Sequence, residues 1–306
     1  MALPNQLITY RPGTIADSYP IFIIFEETLA DLIRRLGSSG PTSWQNPATL
    51  EQMWQERRSM YEHLARTAAY FWVAERAGQI VGFARSIRRD DVLELTEFFV
   101  RPGEQAAGVG RELLARAFPT GGAKRRIIVA SLDVRAQARY LKAGVYPRFP
   151  VYYFGRAPEI TTIPTDLTIE PITASPERVE ILAVLDQSLL GHRRDADHTW
   201  LLSDRQGFLY YRDDQPVGYG YAGLRSGPFA LLHPHDFPAV LAHAENLAVT
   251  AGRPHFGLEV PMINRSVVEY LLARNFQMDA FMAVLMSDAP FGRFEHYIFT
   301  SPPFFL

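Results

Sequence analysis

The sequence predicts a two-domain protein of the α+β (α/β) class, in which short apolar strands alternate with amphipathic helices. Its 306 residues exceed the usual size of one domain, and 47% of them are hydrophobic, which is enough for a full core. A strand, a glycine turn and a helix follow one another directly in residues 94–114. A stretch rich in proline and threonine, residues 155–166, separates two halves with a similar order of elements. We therefore expect domains at 1–158 and 165–306.

The segment from Glu94 to Leu114 carries the clearest functional signal. Apolar residues predict a strand and then, at spacings of three and four, a helix; they are Leu95, Phe98, Phe99 and Val100 for the strand and Val109, Leu113, Leu114 and Ala117 for the helix. Between them, Gly108 and Gly110 carry no Cβ, so backbone N–H groups can approach an anion closely. The start of the helix adds its positive dipole end at the same place. This arrangement suits a pyrophosphate.

Two common phosphate loops do not fit this segment. A Walker loop needs Lys and then Ser or Thr where Arg111 and Glu112 stand, and a dinucleotide fingerprint needs a small residue at Leu113. What remains is Gln-x-x-Gly-x-Gly, from Gln105 to Gly110, directly after a strand. This pattern resembles the acetyl-CoA loop of the GCN5-related N-acetyltransferases, the GNAT superfamily. On the loop alone, an ordinary glycine turn into a surface helix is the alternative.

A second signature follows in the same half. Residues 125–131 read as a buried strand, and residues 133–143 as a helix with an expected left-handed cap at Gly144. The segment resembles the GNAT pattern Asn-x-x-Ala-x-x-x-Tyr-x-x-x-Gly-Phe, with matches at Asp133, Ala136, Tyr140 and Gly144. It departs from the pattern in having Asp133 for Asn, which still caps a helix, and Val145 for Phe. Both signatures occur in the order that the superfamily requires.

The resemblance covers about residues 7–155 and implies a mixed, mainly antiparallel twisted sheet flanked by helices, with acetyl-CoA as co-substrate. It implies that the backbone at Phe98, Phe99 and Val100, in the fourth strand, contacts the oxyanion and the pantetheine. The further cofactor contacts that it implies are Gln105, Ala106, Ala107, Gly108, Val109, Gly110, Arg111 and Asp133.

Acetyl transfer to an amine needs a base, an oxyanion contact and a proton donor for the leaving thiolate. The resemblance places the Tyr140 hydroxyl near the thioester sulfur as general acid; the alternative for a tyrosine on a helix face is core packing. Glu94, eleven residues before Gln105, is the first candidate for the base, and Glu97 is the reserve. On a regular strand the two carboxylates point to opposite faces, unless a bulge intervenes. Either could instead pair with an arginine.

The second half repeats the plan without the phosphate loop. Its predicted elements are strand 167–171, helix 178–189, strands 207–211, 216–224 and 229–232, helix 237–250 and strand 255–260. Residues 264–276 then echo the second signature, with Leu271 at the tyrosine position and Asn275 at the glycine position. Where the loop would lie stands His-Pro-His-Asp-Phe-Pro, residues 233–238, whose prolines remove two backbone donors. This half resembles the degenerate repeat of tandem GNAT proteins, and we expect no CoA there.

The sequence thus predicts an N-acetyltransferase that acts on a small-molecule or peptide amine; an acyl-CoA-binding sensor or regulatory protein without turnover is the alternative. There is no cysteine, so no acyl-cysteine intermediate can form and direct attack in a ternary complex is expected. His233 and His235, and His192 with Asp195 and Asp197, lack a further ligand at a defined spacing, so no metal is expected.

Charge and hydropathy exclude other classes of protein. The longest basic run is Lys124-Arg125-Arg126, which is too short for a nucleic-acid footprint. No apolar run reaches the roughly 20 residues of a membrane span, and the N-terminus lacks the order of a signal peptide. We expect no nucleic-acid or membrane partner, a cytoplasmic location, and a monomer or homodimer.

Overall fold

The computed structural model describes residues 7–37, 45–105, 108–303 and 305–306. The chain forms two compact units, residues 1–126 and 127–306, and each is described by itself. The predicted division into domains at 1–158 and 165–306 follows the sequence repeat and stays a prediction. None of the helices in the described ranges combines the length and the hydropathy that a membrane span needs.

The first unit is an antiparallel sheet with helices on both faces. Its elements are β1 (Thr9–Pro12), α1 (Ser18–Arg35), α2 (Pro47–Arg66), β2 (Ala68–Arg76), β3 (Gln79–Arg89), β4 (Val92–Val100) and α3 (Val109–Ala117). The strands lie in the order β1-β2-β3-β4. On one face the ring of Phe25 in α1 lies 5.1 Å from that of Phe99. On the other, Ser86 Oγ donates a 2.6 Å hydrogen bond to the Ala117 carbonyl at the end of α3.

The second unit contains two sheets. Its elements are β5 (Arg125–Ala130, which begins at the end of the first unit), α4 (Val134–Lys142), β6 (Tyr146–Arg156), β7 (Thr168–Pro171), α5 (Pro176–Leu189), α6 (Asp195–Asp204), β8 (Gln206–Arg212), β9 (Gln215–Ala222), β10 (Phe229–Leu231), α7 (Phe237–Thr250), β11 (Phe256–Pro261), α8 (Arg265–Ala273), β12 (Gln277–Ser287) and β13 (Tyr297–Ile298). One sheet has the order β5-β12-β6-β11 and the other β13-β10-β9-β8-β7. The predicted fold class is confirmed, since mainly antiparallel sheets are flanked by helices in both units.

Strands β6 and β12 are exchanged between the two repeats. β12, from the second repeat, lies between β5 and β6 of the first and pairs with both. β6, from the first repeat, pairs in turn with β11 of the second. Each repeat therefore completes its sheet with a strand of the other, which local sequence patterns did not predict.

Helices α4 and α8 end in the same way. After α4, the Gly144 backbone has φ +81°, Gly144 N–H donates to the Leu141 carbonyl and Val145 N–H donates to the Tyr140 carbonyl. After α8, Asn275 has φ +60° and makes the corresponding bond to Leu272. These are the bonds of a Schellman cap, in which the residue after the C-cap is left-handed. The predicted left-handed cap at Gly144 is confirmed, and Asn275 substitutes for glycine in the second repeat.

Candidate active site

The turn between β4 and α3 has the backbone that the glycine pattern requires. Gly108 is the N-cap of α3 with φ +78°, a left-handed conformation that favours glycine. Its carbonyl accepts hydrogen bonds from the N–H groups of Arg111 and Glu112, at 2.9 and 3.2 Å. Val109 and Gly110 are the first two residues of α3. The first N–H groups of a helix have no intrahelical acceptor, so this end of α3 favours an anion.

Side chains on either side complete this turn. Gln105 Nε2 donates a 3.0 Å hydrogen bond to the Val100 carbonyl, which ties the loop to the end of β4. The Arg111 side chain is 77% exposed and its Nε lies 3.7 Å from Glu112, so its cation can reach a bound phosphate. Ala106 and Ala107 lie outside the described residues.

Strand β4 contains a bulge between the two candidate bases. Glu97 lies opposite Arg85 and Glu94 lies opposite Ile87, so Thr96 is an extra residue in β4. Arg85 and Ile87 are two residues apart on β3 and therefore share a face. Both glutamates project from that same face. The regular-strand expectation of opposite faces is wrong here, because the bulge adds one residue between them.

The Glu97 carboxylate belongs to a buried ion pair. Arg85 Nε donates to Glu97 Oε2 at 2.6 Å, and Arg85 Nη1 donates to the Tyr61 carbonyl at 2.9 Å. Neither side chain of the pair has solvent exposure. Burial raises the pKa of Glu97, while the Arg85 guanidinium opposes that shift. Thr96 Oγ1 donates to the Arg85 carbonyl at 3.0 Å and so fixes the bulge.

Arg85 is a residue that sequence reasoning missed. It stands between Phe83 and Ile87, both fully buried, in the inward positions of β3. A charged side chain at an inward position needs a partner, since an unpaired buried charge is costly. That position, with Glu97 on the next strand, was the signal that could have predicted the pair.

The other predicted residues of β4 are also buried or half-buried. Glu94 is 4% exposed. The Phe99 ring packs between Phe25 and Phe83, with centroids at 5.1 and 5.7 Å. Phe98 and Val100 lie opposite Ala84 and Gly82 of β3, respectively.

Asp133 and Tyr140 both lie on α4, in the second unit. Asp133 is the N-cap, and its Oδ1 accepts a 2.9 Å hydrogen bond from the Arg135 N–H. Tyr140 is the buried residue of the helix, 5% exposed. Burial, and secondarily the charge of Asp133, raises the pKa of the Tyr140 hydroxyl well above its ordinary value. The phenol therefore keeps its proton at neutral pH and can donate a hydrogen bond.

In the second repeat, protein groups occupy the start of α7. Asp236 is its N-cap, and Pro238, in the first turn, has no N–H. Arg212 bonds to both Asp236 and Asp166, at 2.7 Å each. A cavity of about 460 Å³ lies beside them, lined also by His233 and His235. Among the residues that the structure describes, no group of three His, Cys, Asp or Glu could hold a metal ion.

Glu259 on β11 is expected to make stability fall as pH rises. Burial, with the nearby charge of Asp279, raises its pKa from 4.5 to about 8, against the opposing effects of Ser301 and Arg225. Between pH 4.5 and about pH 8, the folded state therefore keeps a proton on Glu259 that the unfolded state has already lost. The contribution of Glu259 to the free energy of unfolding is therefore complete below pH 4.5 and is lost as the pH rises towards 8. Each unit of difference between the folded and unfolded pKa corresponds to about 1.4 kcal/mol.

Urea unfolding at pH 5 and pH 8 checks this expectation. The free energy of unfolding should fall less between pH 5 and pH 8 in Glu259→Gln than in the wild type. Glu269→Gln, on the exposed side of α8 with 68% side-chain exposure, serves as the control and should leave it unchanged. An equal loss in Glu259→Gln would show that another group titrates.

Known proteins share this architecture. Among solved structures, a putative acetyltransferase from Pyrococcus horikoshii is 14% identical, with 96% of this chain and 94% of that chain covered and a TM-score of 0.72. A tandem GNAT protein from the clavulanic acid biosynthesis pathway is 13% identical, with 93% and 99% covered and a TM-score of 0.56. A GCN5-related N-acetyltransferase from Sphaerobacter thermophilus is 13% identical, with 94% and 96% covered and a TM-score of 0.56. At these identities the likeness shows the fold.

Part of the sequence also matches a known protein family. Among curated proteins, none matches the chain significantly. Residues 34–145 match the model of the acetyltransferase (GNAT) family, a segment that includes the Gly108 turn and Tyr140. Residues 34–145 are therefore similar to a GNAT acetyltransferase domain, and the solved structures show the same fold over more than nine-tenths of the chain.

Proposed function

We propose that the chain is an N-acetyltransferase that transfers the acetyl group of acetyl-CoA to a primary amine by direct attack in a ternary complex. The observation that carries this proposal is the left-handed Gly108 that opens α3 directly after β4. The N–H groups of Val109 and Gly110, the helix dipole and the Arg111 cation together form an anion site of the size of a pyrophosphate. Gln105, Ala106 and Ala107 complete the proposed loop.

Glu94 is the proposed base. It shares a face of the sheet with Glu97, but Glu97 is held by Arg85 in a fully buried pair. If Glu97 took a proton from the amine, Arg85 would be left as an unpaired buried cation, which is costly. If Glu94 takes the proton instead, the ion pair between Arg85 and Glu97 stays intact. The backbone at Phe98, Phe99 and Val100 is proposed to contact the thioester carbonyl and the pantetheine.

Tyr140 is the proposed proton donor to the CoA sulfur. Its pKa is raised by burial, so the hydroxyl is protonated throughout the range in which the enzyme would act. A protonated phenol can donate a hydrogen bond to the sulfur as negative charge develops on it. Asp133, the N-cap of the same helix, is proposed to contact the cofactor. The acceptor is proposed to be a small-molecule or peptide amine.

Release of CoA from acetyl-CoA, measured with a panel of primary amines, tests the proposal. We expect turnover with at least one amine, and a fall in kcat of about a hundredfold in Tyr140→Phe with little change in the KM for acetyl-CoA. Tyr146→Phe is the matched control, because Tyr146 is 53% exposed and should be silent. Equal activity of Tyr140→Phe and wild type would remove Tyr140 from the mechanism. Tight binding of acetyl-CoA without turnover of any amine would favour the sensor.

A further inference from the structure

The C-terminal segment is built into the second repeat as an extra strand. β13 pairs antiparallel with β10, with Ala230 opposite Tyr297 and Phe229 opposite Ile298. One residue later, the Phe299 N–H donates a 3.0 Å hydrogen bond to the Glu259 carbonyl on β11. The segment therefore lies between β10 and β11 and bonds to both. Residues 297–299 have no solvent exposure.

This slot corresponds to the proposed cofactor position of the first repeat. β10 leads into α7 as β4 leads into α3, and the pantetheine is proposed to follow the backbone of β4. In the second repeat the backbone of β10 bonds to the chain's own β13 instead. At the start of α7, where a pyrophosphate would lie, Asp236 and Arg212 form an ion pair. Both parts of a cofactor are thus replaced by protein groups.

Side chains of the second repeat hold the segment in place. Asn264, the N-cap of α8, donates from Nδ2 to the Tyr297 carbonyl at 3.2 Å, and its Oδ1 accepts from the Val267 N–H. Asn264 occupies the position in α8 that Asp133, a proposed cofactor contact, occupies in α4. Gly227 passes so close to the Phe299 carbonyl that a Cβ would not fit. The slot is therefore shaped to a peptide strand.

We propose that the slot between β10 and β11 is a peptide-binding site for an extended apolar strand, and that its resident ligand is the chain's own C-terminal segment. The strand adds to the edges of β10 and β11 through main-chain hydrogen bonds, which is the usual physics of strand addition. With the slot filled, the second repeat is closed to acyl-CoA. This proposal does not depend on turnover by the first repeat.

The test cuts the folded full chain. A protease recognition sequence is inserted after Pro290, an exposed residue between β12 and β13, and the purified protein is cleaved there. At low micromolar concentration, the released fragment should co-elute with the remainder of the chain on size exclusion. A fragment that elutes separately overturns the proposal, whatever the state of the remainder.

Exchange then tests which groups the slot recognises. A labelled peptide of residues 294–306 should replace the bound fragment saturably, and an unlabelled peptide with Phe299→Pro should compete about tenfold less well, because it lacks the N–H to Glu259. A scrambled peptide is the matched control and should not compete. Equal competition by the unlabelled native, Phe299→Pro and scrambled peptides overturns the proposal. Displacement of the labelled peptide by acetyl-CoA would contradict the claim that the second repeat cannot bind acyl-CoA.

Discussion

Asp186→Ala is expected to lower the free energy of unfolding by about 3–5 kcal/mol, the largest effect of a single substitution that we predict. Asp186 on α5 has no solvent exposure and accepts a 2.7 Å hydrogen bond from Arg194 Nε. It also contacts His198 Nε2 at 2.8 Å and the Tyr219 hydroxyl. Burial opposes its ionisation, yet Arg194 and His198 hold the pKa of Asp186 well below its usual range. Without this carboxylate, Arg194 would be a buried cation with no counter-ion.

A neighbouring ion pair supplies the control for this prediction. Glu180, on the same helix, pairs with Arg193, the residue adjacent to Arg194, but the Glu180 side chain is 58% exposed. Because exposed pairs contribute little, Glu180→Ala should lower the free energy of unfolding far less than Asp186→Ala does. Urea unfolding of the two variants measures the difference. Equal losses of unfolding free energy in the two variants would mean that the buried pair stabilises the fold no more than the exposed pair does.

Splitting the chain between Ile163 and Pro164 is expected to leave the first fragment aggregation-prone. That fragment contains β5 and β6 but lacks β12, which lies between them, and β11, which pairs with β6. Exposed strand edges with unpaired N–H and C=O groups recruit other chains. The two fragments expressed together should assemble into one soluble complex, because each supplies the strand that the other lacks.

Size exclusion and circular dichroism of the fragments, alone and together, check this expectation. A soluble first fragment that unfolds cooperatively by itself would contradict it, since the exchanged strands would then be dispensable. A cut of the polypeptide in the same linker after folding is the control, and it should leave the complex intact. The result would show whether the two repeats are separable units.

The elements with local signals were predictable from the sequence. The turn at Gly108, the cap at Gly144 and the left-handed Asn275 each follow from one residue and its neighbours, because a positive φ selects glycine or asparagine. Many elements of the second repeat were predictable from apolar periodicity, but α6, β12 and β13 were not among the predicted elements. These features include the loop of the candidate site.

The features that depend on distant partners were not predictable. The exchange of β6 and β12 joins strands far apart in the chain, and alternation of apolar residues does not say which strand is the neighbour. The bulge at Thr96 reverses the face of Glu94 relative to Glu97, and no local pattern marks it. The pairing of β13 with β10 likewise became visible only in the fold.

The most direct test of the account is the thermal unfolding midpoint with and without acetyl-CoA, in the wild type, Gly108→Asp and Gly121→Asp. Gly121 has φ +91° and open space around it, so its substitution carries a backbone strain similar to that at Gly108 but lies outside the loop. At a hundred times its dissociation constant, acetyl-CoA should stabilise the wild type by about 2.7 kcal/mol. We predict a rise in midpoint for the wild type and Gly121→Asp that is lost in Gly108→Asp. No rise in the wild type, or an equal rise in Gly108→Asp, would contradict a cofactor site at this loop.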